Sequence, residues 1–145
     1  MPDELVLHAA FPLHVAASGR HLVGDDGTPF YYSADTQWPL LWAYDLEEAA
    51  ALLDVRLQAG FTAIQLSLIP FSNVPNTAGE RVFLNTSAFE PNEAYFDHAD
   101  RVLDALSARG MAAYLVPLWA NQVESDSGAY HVKAAAPECD AASAA

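Results

Sequence analysis

Two segments of the chain carry apolar residues at helical spacing. In the first, Asp45 and Glu48 form a capping-box pair at the start, and Gly60 is the glycine that often follows a helix end. In the second, Asn92 is a good N-cap residue and Gly110 follows the last apolar repeat. The spacing predicts one helix between residues 45 and 60 and another between residues 92 and 110. Their predicted buried stripes are Leu46, Ala50, Leu53 and Leu57, and Phe96, Ala99, Leu103 and Leu106.

The opposite side of the second helix carries charged neighbours at i, i+3 and i, i+4 spacing. Asp97, Arg101 and Asp104 follow this pattern, which is typical of a solvated face. His98 lies near that face, so we expect a surface histidine there and not a catalytic base.

Three apolar runs with strand character alternate with the two helices. They are Phe30–Ala34, Phe61–Ile69 and Met111–Trp119. In the middle run, Ile64, Leu66 and Leu68 would share one face, and Ala63, Gln65 and Ser67 the other. The order β-α-β-α-β predicts a parallel sheet with right-handed crossovers. The periodicity alone does not separate a barrel from a doubly wound sheet.

A β-hairpin is predicted ahead of the first parallel strand, within residues 11–30. The turn cluster Gly24-Asp25-Asp26-Gly27 lies between two short strand segments, His21–Val23 and Pro29–Tyr31. A phosphate-binding loop is the less favoured interpretation, because Pro29-Phe30 opens a strand and such a loop would open a helix.

Two segments have no periodic pattern. Residues 70–92 form a loop rich in Pro and Asn, and a loop of that length without its own structure is usually functional or disordered. From about residue 124 the amphipathic pattern ends in an Ala-rich segment. We therefore divide the chain into an N-terminal extension (1–10), one domain (11–123) and a disordered or weakly helical tail (124–145).

Charge and composition exclude several classes of function. The net charge of −13, with 6 Lys and Arg against 19 Asp and Glu, argues against a nucleic-acid partner. The single Cys139 allows no internal disulfide, and the histidines show no metal-ligand spacing, so we expect neither cofactor nor metal. The sequence contains no recognisable signal peptide and no apolar run of membrane-spanning length, which predicts a cytoplasmic protein without a membrane partner.

Residues that suit a carbohydrate site follow the predicted strands, where active sites of parallel α/β proteins lie. Aromatic rings pack on sugar C–H faces, while amides and carboxylates bind hydroxyl groups. Each candidate also has a structural interpretation: a turn cap for Asp35, core packing for the tryptophans, a hydrogen bond in a barrel interior for Gln65, and turn formation for the asparagines. The candidate substrate-binding residues are Asp35, Trp38, Gln65, Asn76, Trp119 and Asn121.

Four segments between about Phe11 and Trp119 carry recognisable motifs in a fixed order. Gly27-Thr28-Pro29-Phe30 followed by Ala34-Asp35-Thr36-x-Trp38 is the first. The others are Gly60-Phe61-Thr62-Ala63-Ile64-Gln65, the segment Pro91–Asp100, and Val116-Pro117-Leu118-Trp119. With these four segments in order, the chain resembles the apiosidase-like family of glycoside hydrolases between about Phe11 and Trp119. It departs from the family pattern at Ala34 and Ala120, where the family usually has glycine.

The resemblance implies a (β/α)8 TIM barrel that hydrolyses glycosidic bonds in plant cell-wall glycans, with apiose in pectin as the founding substrate. It implies that this chain is α/β, a partial barrel of three strand–helix units behind a β-hairpin. The acid/base and nucleophilic carboxylates are expected on later strands, so we assign no catalytic residue here, and residues 124–145 do not resemble what should follow Trp119. The expected partner is a carbohydrate, with association through exposed strand edges. The alternative is a non-catalytic carbohydrate- or partner-binding α/β module.

Overall fold

The structure, a computed structural model, describes residues 11–70, 74–85 and 90–118. These residues form three small sheets and two helices. In chain order the elements are β1 (His14–Val15), β2 (Leu22–Val23), β3 (Pro29–Phe30), β4 (Ala34–Thr36), α1 (Leu46–Gln58), β5 (Ala63–Ser67), β6 (Phe83–Asn85), β7 (Glu90–Pro91), α2 (Glu93–Ser107) and β8 (Ala112–Val116).

The predicted hairpin is confirmed and has a third strand. β2 pairs antiparallel with β3, and β1 pairs with the other edge of β2. Between β2 and β3, the Gly24 N–H donates to the Thr28 carbonyl at 2.8 Å, and Gly27 takes a φ of 80°. Because that φ is favourable only for glycine, Gly27 sets the geometry of the turn.

The predicted parallel sheet is also confirmed. Its order is β4-β5-β8, with β5 in the middle and both neighbours parallel to it. The predicted position of the first strand, Phe30–Ala34, is wrong: Phe30 ends β3, and the parallel strand is Ala34–Thr36. Tyr31 and Tyr32 have strand propensity, yet they lie exposed between the two strands, because pairing with β5 decides where β4 begins.

The two helices begin and end where the sequence predicts. The Glu48 N–H donates to Asp45 Oδ1 at 2.8 Å, and the Asp45 N–H donates to Glu48 Oε2 at 3.0 Å, so the capping box of α1 is complete. Gly60 follows α1 with a φ of 85°. Asn92 caps α2 by accepting from the Ala94 N–H at 3.2 Å.

Both helices pack on one face of the parallel sheet and enclose the main core. The predicted stripes are correct only in part. In α1, Leu46 is exposed, and the buried residues are Ala49 and Leu53. In α2, Ala99 and Leu106 are buried as predicted, together with residues that the predicted stripe omits. The core consists of Leu40, Leu41, Trp42, Ala49, Leu53, Ile64, Leu66, Ile69, Val82, Tyr95, Ala99, Val102, Leu106 and Met111.

The predicted surface position of His98 is wrong. Its side chain is buried, and within the described part of the chain Nε2 has no hydrogen-bond partner. The reason is that α2 packs against both α1 and β8, so its buried surface is wider than a single stripe.

The loop at 70–92 has structure of its own, contrary to the prediction. β6 and β7 pair antiparallel within it, and Asn76–Glu80 forms a turn in which the Asn76 N–H donates to the Glu80 carbonyl at 2.7 Å. Asn92 Nδ2 donates to Glu80 Oε2 at 2.8 Å and to the Arg81 carbonyl at 2.9 Å, so the loop is tied to the start of α2. In the part of the chain described here, no helix has the length and apolar character to cross a membrane.

Candidate functional site

The carboxyl ends of the three parallel strands lie side by side. The Gln37 N–H donates to the Gln65 carbonyl at 2.8 Å, which extends the pairing one residue beyond β4. The Ser67 N–H then donates to the Trp38 carbonyl at 3.3 Å, and the Leu68 N–H to the Val116 carbonyl at 2.9 Å. These bonds hold the exits of β4, β5 and β8 at one edge, the position where parallel α/β proteins bind ligands.

Three polar side chains stand in one row across the sheet. Thr36 pairs in register with Gln65, and Gln65 pairs with Tyr114. Partners in register point to the same face, and this is the face opposite Ile64 and Leu66, which pack in the helix-covered core. Thr36 Oγ1 donates to Gln65 Oε1 at 3.1 Å. We call this set the Thr36–Gln65–Tyr114 row.

Asp35 points away from this row. Its register partner is Ile64, so its side chain lies on the helix side of the sheet. There its carboxylate forms an ion pair with Nε of Arg56, from the last turn of α1, and accepts from Gln37 Nε2 at 2.7 Å. Asp35 therefore joins β4 to α1, and these contacts give it a structural role in this chain.

The two donors keep the Asp35 carboxylate ionised. Burial by itself would raise the pKa of Asp35, but the hydrogen bonds from Arg56 and Gln37, with the charge of Arg56, lower the pKa below its ordinary value. A general acid requires the opposite shift. Asp35 is thus a poor proton donor near neutral pH.

The other predicted binding residues lie in different surroundings. Gln65 belongs to the row described above. Trp38 is half-buried, and its backbone carbonyl accepts from the N–H of Ser67. Asn76 is buried and organises the turn in its loop: Oδ1 accepts from the N–H groups of Ala78 and Glu80 at 3.0 and 2.9 Å. Trp119 and Asn121 lie outside the described residues. The structure thus places Gln65 in the middle of β5 and the Trp38 backbone beside the end of that strand, and it places the Asp35 side chain on the opposite face from Gln65.

Sequence reasoning did not single out three of the residues that matter here. Thr36 stands out only as part of a motif, Tyr114 only as part of a strand, and Arg56 not at all. Strand alternation is the signal that could have found Tyr114, because side chains two residues apart in a strand point to the same face, and Tyr114 lies two residues from Ala112 and from Val116. No local pattern marks Arg56, because its partner lies 21 residues away.

The described residues contain no group of three His, Cys, Asp or Glu side chains that is arranged to hold a metal ion. Within the described strands, the polar side chains on this face of the sheet are uncharged, namely Thr36, Gln65, Ser67 and Tyr114. Such a set favours a neutral ligand with hydroxyl groups.

Comparison with known proteins identifies the family. The model of the apiosidase-like catalytic domain matches residues 16–143 of this chain. The chain belongs to the apiosidase-like family. The match extends beyond Trp119, where the resemblance in the sequence ended, and it includes most of the segment 124–145. A comparison with curated proteins finds no match.

Two solved structures share the fold. One, a glycoside hydrolase family 5 protein from Bacteroides vulgatus, is 23% identical with a TM-score of 0.64, over 72% of this chain and 24% of its own. The other, named a glycoside hydrolase, is 24% identical with a TM-score of 0.68, over 80% of this chain and 27% of its own. The apiosidase-like chain thus spans about a quarter of the length of these structures.

Proposed function

We propose that this apiosidase-like chain forms the first three strand–helix units of a (β/α)8 barrel. The whole protein that contains this barrel hydrolyses glycosidic bonds in plant cell-wall glycans. The observation that carries the proposal is the family match over residues 16–143. A family model that matches most of the chain outweighs the alternative of an unrelated binding module.

The sheet topology supports a barrel over a doubly wound sheet. The strands β4, β5 and β8 stand in the sheet in the same order as in the chain, and α1 and α2 pack against each other on one face. A barrel adds each strand beside the previous one and keeps every helix outside. A doubly wound sheet reverses direction at one point and carries helices on both faces.

Hydrolysis requires more than these units provide. A retaining glycosidase uses two carboxyl groups about 5–5.5 Å apart, and an inverting one uses two about 6.5–9.5 Å apart. Asp35 is the carboxylate that the sequence places near a strand end, and its charge is already engaged by Arg56. We therefore propose that this chain contributes to glycan binding, and that the acid/base pair comes from further strands.

The test compares binding and turnover in the same purified chain. Apiose-containing pectic oligosaccharides and xylan fragments are the plant ligands, and chitin oligosaccharides and glycogen are the controls. We expect weak binding of the plant ligands and no release of reducing sugar. Release of reducing sugar that disappears in Asp35→Asn would contradict the assignment of catalysis to further strands. Binding of the control glycans only would contradict the plant glycan class.

The alternative, a non-catalytic carbohydrate-binding module, is favoured by one observation. The Thr36–Gln65–Tyr114 row is polar and accessible, and its residues serve binding better than acid/base chemistry. A chain that binds glycan as a stable, cooperatively folding monomer would support this alternative, because a partial barrel does not predict autonomous folding.

A further inference from the structure

We propose that an apolar groove between α2 and β8, on the helix side of the sheet, is the docking surface for residues 119–143 of this same chain, with Lys133 beside Asp100. The residues that line the groove are Phe96, Leu103, Ala113 and Leu115. The inference deepens the proposed function, on which it rests, by naming the segment that completes the third strand–helix unit. It replaces the expectation that residues 124–145 form a disordered or weakly helical tail.

One wall of the groove is the helix side of β8, which lacks the cover that β5 has. Leu66 of β5 pairs in register with Leu115 of β8, and Ile64 pairs with Ala113, so these side chains point to the same face. Leu66 and Ile64 are completely buried in the core, whereas Leu115 is 38% exposed and Ala113 is also exposed. Within the described part of the chain, α1 and α2 therefore cover β5 but leave the outer side of β8 open.

The other wall is the flank of α2 that faces away from α1. Residues seven apart in a helix lie on one flank, and Phe96 and Leu103 are such a pair, both partly buried. The opposite flank contacts α1, since Arg109, which follows α2, donates to Asp54 of α1 at 2.7 Å. Phe96 and Leu103 therefore border the open side of β8.

The chain beyond Leu118 is suited to fill this groove. Leu118 follows the carboxyl end of β8, and a right-handed crossover leads the chain over the face that already carries α1 and α2. The family match continues to residue 143, well past the dozen or so residues that a crossover needs. Within this segment, Ala129–Ala136 contains Tyr130, Val132 and four alanines but no acidic residue. It can therefore enter an apolar groove without burying a carboxylate.

Charge complementarity places Lys133 at the rim of the groove. Asp100 lies four residues after Phe96 and three before Leu103, so it is their neighbour on the surface of α2, and it is exposed. Lys133 is the one lysine of a chain whose net charge is −13. When the apolar residues around Lys133 lie in the groove, its ammonium group can meet the carboxylate of Asp100 at the edge.

Carbodiimide coupling tests this contact, because it joins an amine to a carboxylate only where the two groups meet. We expect mass spectrometry of the digested chain to find a link between Lys133 and Asp100. An equal mixture of unlabelled and isotope-labelled chain distinguishes links within one chain from links between chains, and we expect links within one chain. Asp100→Asn, which keeps the shape of the side chain, should abolish the link.

Leu115→Ser and Leu103→Ser test the two walls of the groove. Each should lower the initial rate of linking roughly threefold, because apolar surface that the docked segment buries is lost. Leu84→Ser is the matched control, since Leu84 is an exposed leucine of β6 outside the groove, and it should link as wild type does.

Three results would overturn the inference. They are the absence of a Lys133–Asp100 link within wild-type chains, links from Lys133 to other carboxylates instead, and equal linking rates in both groove variants and Leu84→Ser. None of them contradicts the proposed function, which fails instead if the chain binds only the control glycans.

Discussion

Asn92 connects the start of α2 to the loop of residues 74–85, and its replacement should release that loop. The side chain is 7% exposed. Its Oδ1 caps α2 through the Ala94 N–H, and its Nδ2 donates to Glu80 Oε2 and to the Arg81 carbonyl at 2.8 and 2.9 Å. One side chain thus performs two separable tasks, capping the helix and holding the loop.

The expected magnitude follows from the two Nδ2 bonds. A buried hydrogen bond contributes about 1 kcal/mol net, and one to a charged group somewhat more. Losing both should lower the free energy of opening the loop by about 2 kcal/mol, which corresponds to a roughly thirtyfold faster exchange of its protected amides. The Glu80 N–H, which donates to Asn76 Oδ1 at 2.9 Å, is a suitable reporter.

Hydrogen exchange read by mass spectrometry distinguishes the two tasks. In Asn92→Ala, exchange should rise both in 74–85 and in the first turn of α2. In Asn92→Ser, the hydroxyl still caps the helix, so only the loop should exchange faster. Ser107→Ala, at the exposed end of α2, is the control and should leave both regions unchanged. Unchanged exchange of the loop in both Asn92 variants would refute the proposed tether.

Two further predictions concern the parallel sheet and α1. The pKa of Asp35 is lowered in the folded chain, so its ion pair with Arg56 stabilises the fold above about pH 4, the ordinary pKa of Asp, and is lost as the pH falls through the lowered value. Asp35→Asn should therefore reduce the stability of the fold at pH 7, and the variant should lose less stability than wild type when the pH is lowered. Circular dichroism between pH 6 and pH 2 follows both effects. If the variant loses as much stability on acidification as wild type, the ion pair does not stabilise the fold. Asp45→Ala should remove the capping box and destabilise the first turn of α1 by about 1 kcal/mol, which faster hydrogen exchange of the Glu48 amide would reveal. Asp45→Ser should preserve most of the protection of that amide. Equal exchange in Asp45→Ala and wild type would show that packing alone holds the turn.

Features with local causes were predictable from the sequence. The capping box of Asp45 and Glu48 acts within one helical turn, and Gly60 acts through its own backbone angle, so the bounds of α1 follow from adjacent residues. The same holds for Asn92 at the start of α2. The alternation of helices and strands then predicted the parallel sheet.

Features set by distant partners were not predictable. The first parallel strand begins at Ala34 because it pairs with β5, although Tyr31 and Tyr32 have the stronger strand propensity. His98 is buried because α2 contacts two elements, and the sequence of one helix does not reveal its neighbours. The ion pair of Asp35 depends on Arg56, which reaches it from another element.

The sequence predicts where in the fold the candidate site lies, but not which side chains form it. Trp38 follows the end of β4, in the segment that the sequence places there, whereas Gln65 lies in the middle of β5. The Thr36–Gln65–Tyr114 row was not predictable, because it becomes visible only when the register of three strands is known. Register is a property of pairing, and a single strand sequence does not specify it.

The partial barrel itself is tested most directly by the size and the unfolding of the purified chain. In the parallel sheet, as far as the structure describes it, β5 alone is paired on both sides, so β4 and β8 each keep one open edge, and Tyr114 on the open face is exposed. Unpaired edges and an open sheet face favour association and weaken cooperativity. Light scattering combined with calorimetry should therefore find oligomers, with no sharp thermal transition. A monodisperse monomer with a sharp two-state transition would contradict the partial barrel and support an autonomous carbohydrate-binding module.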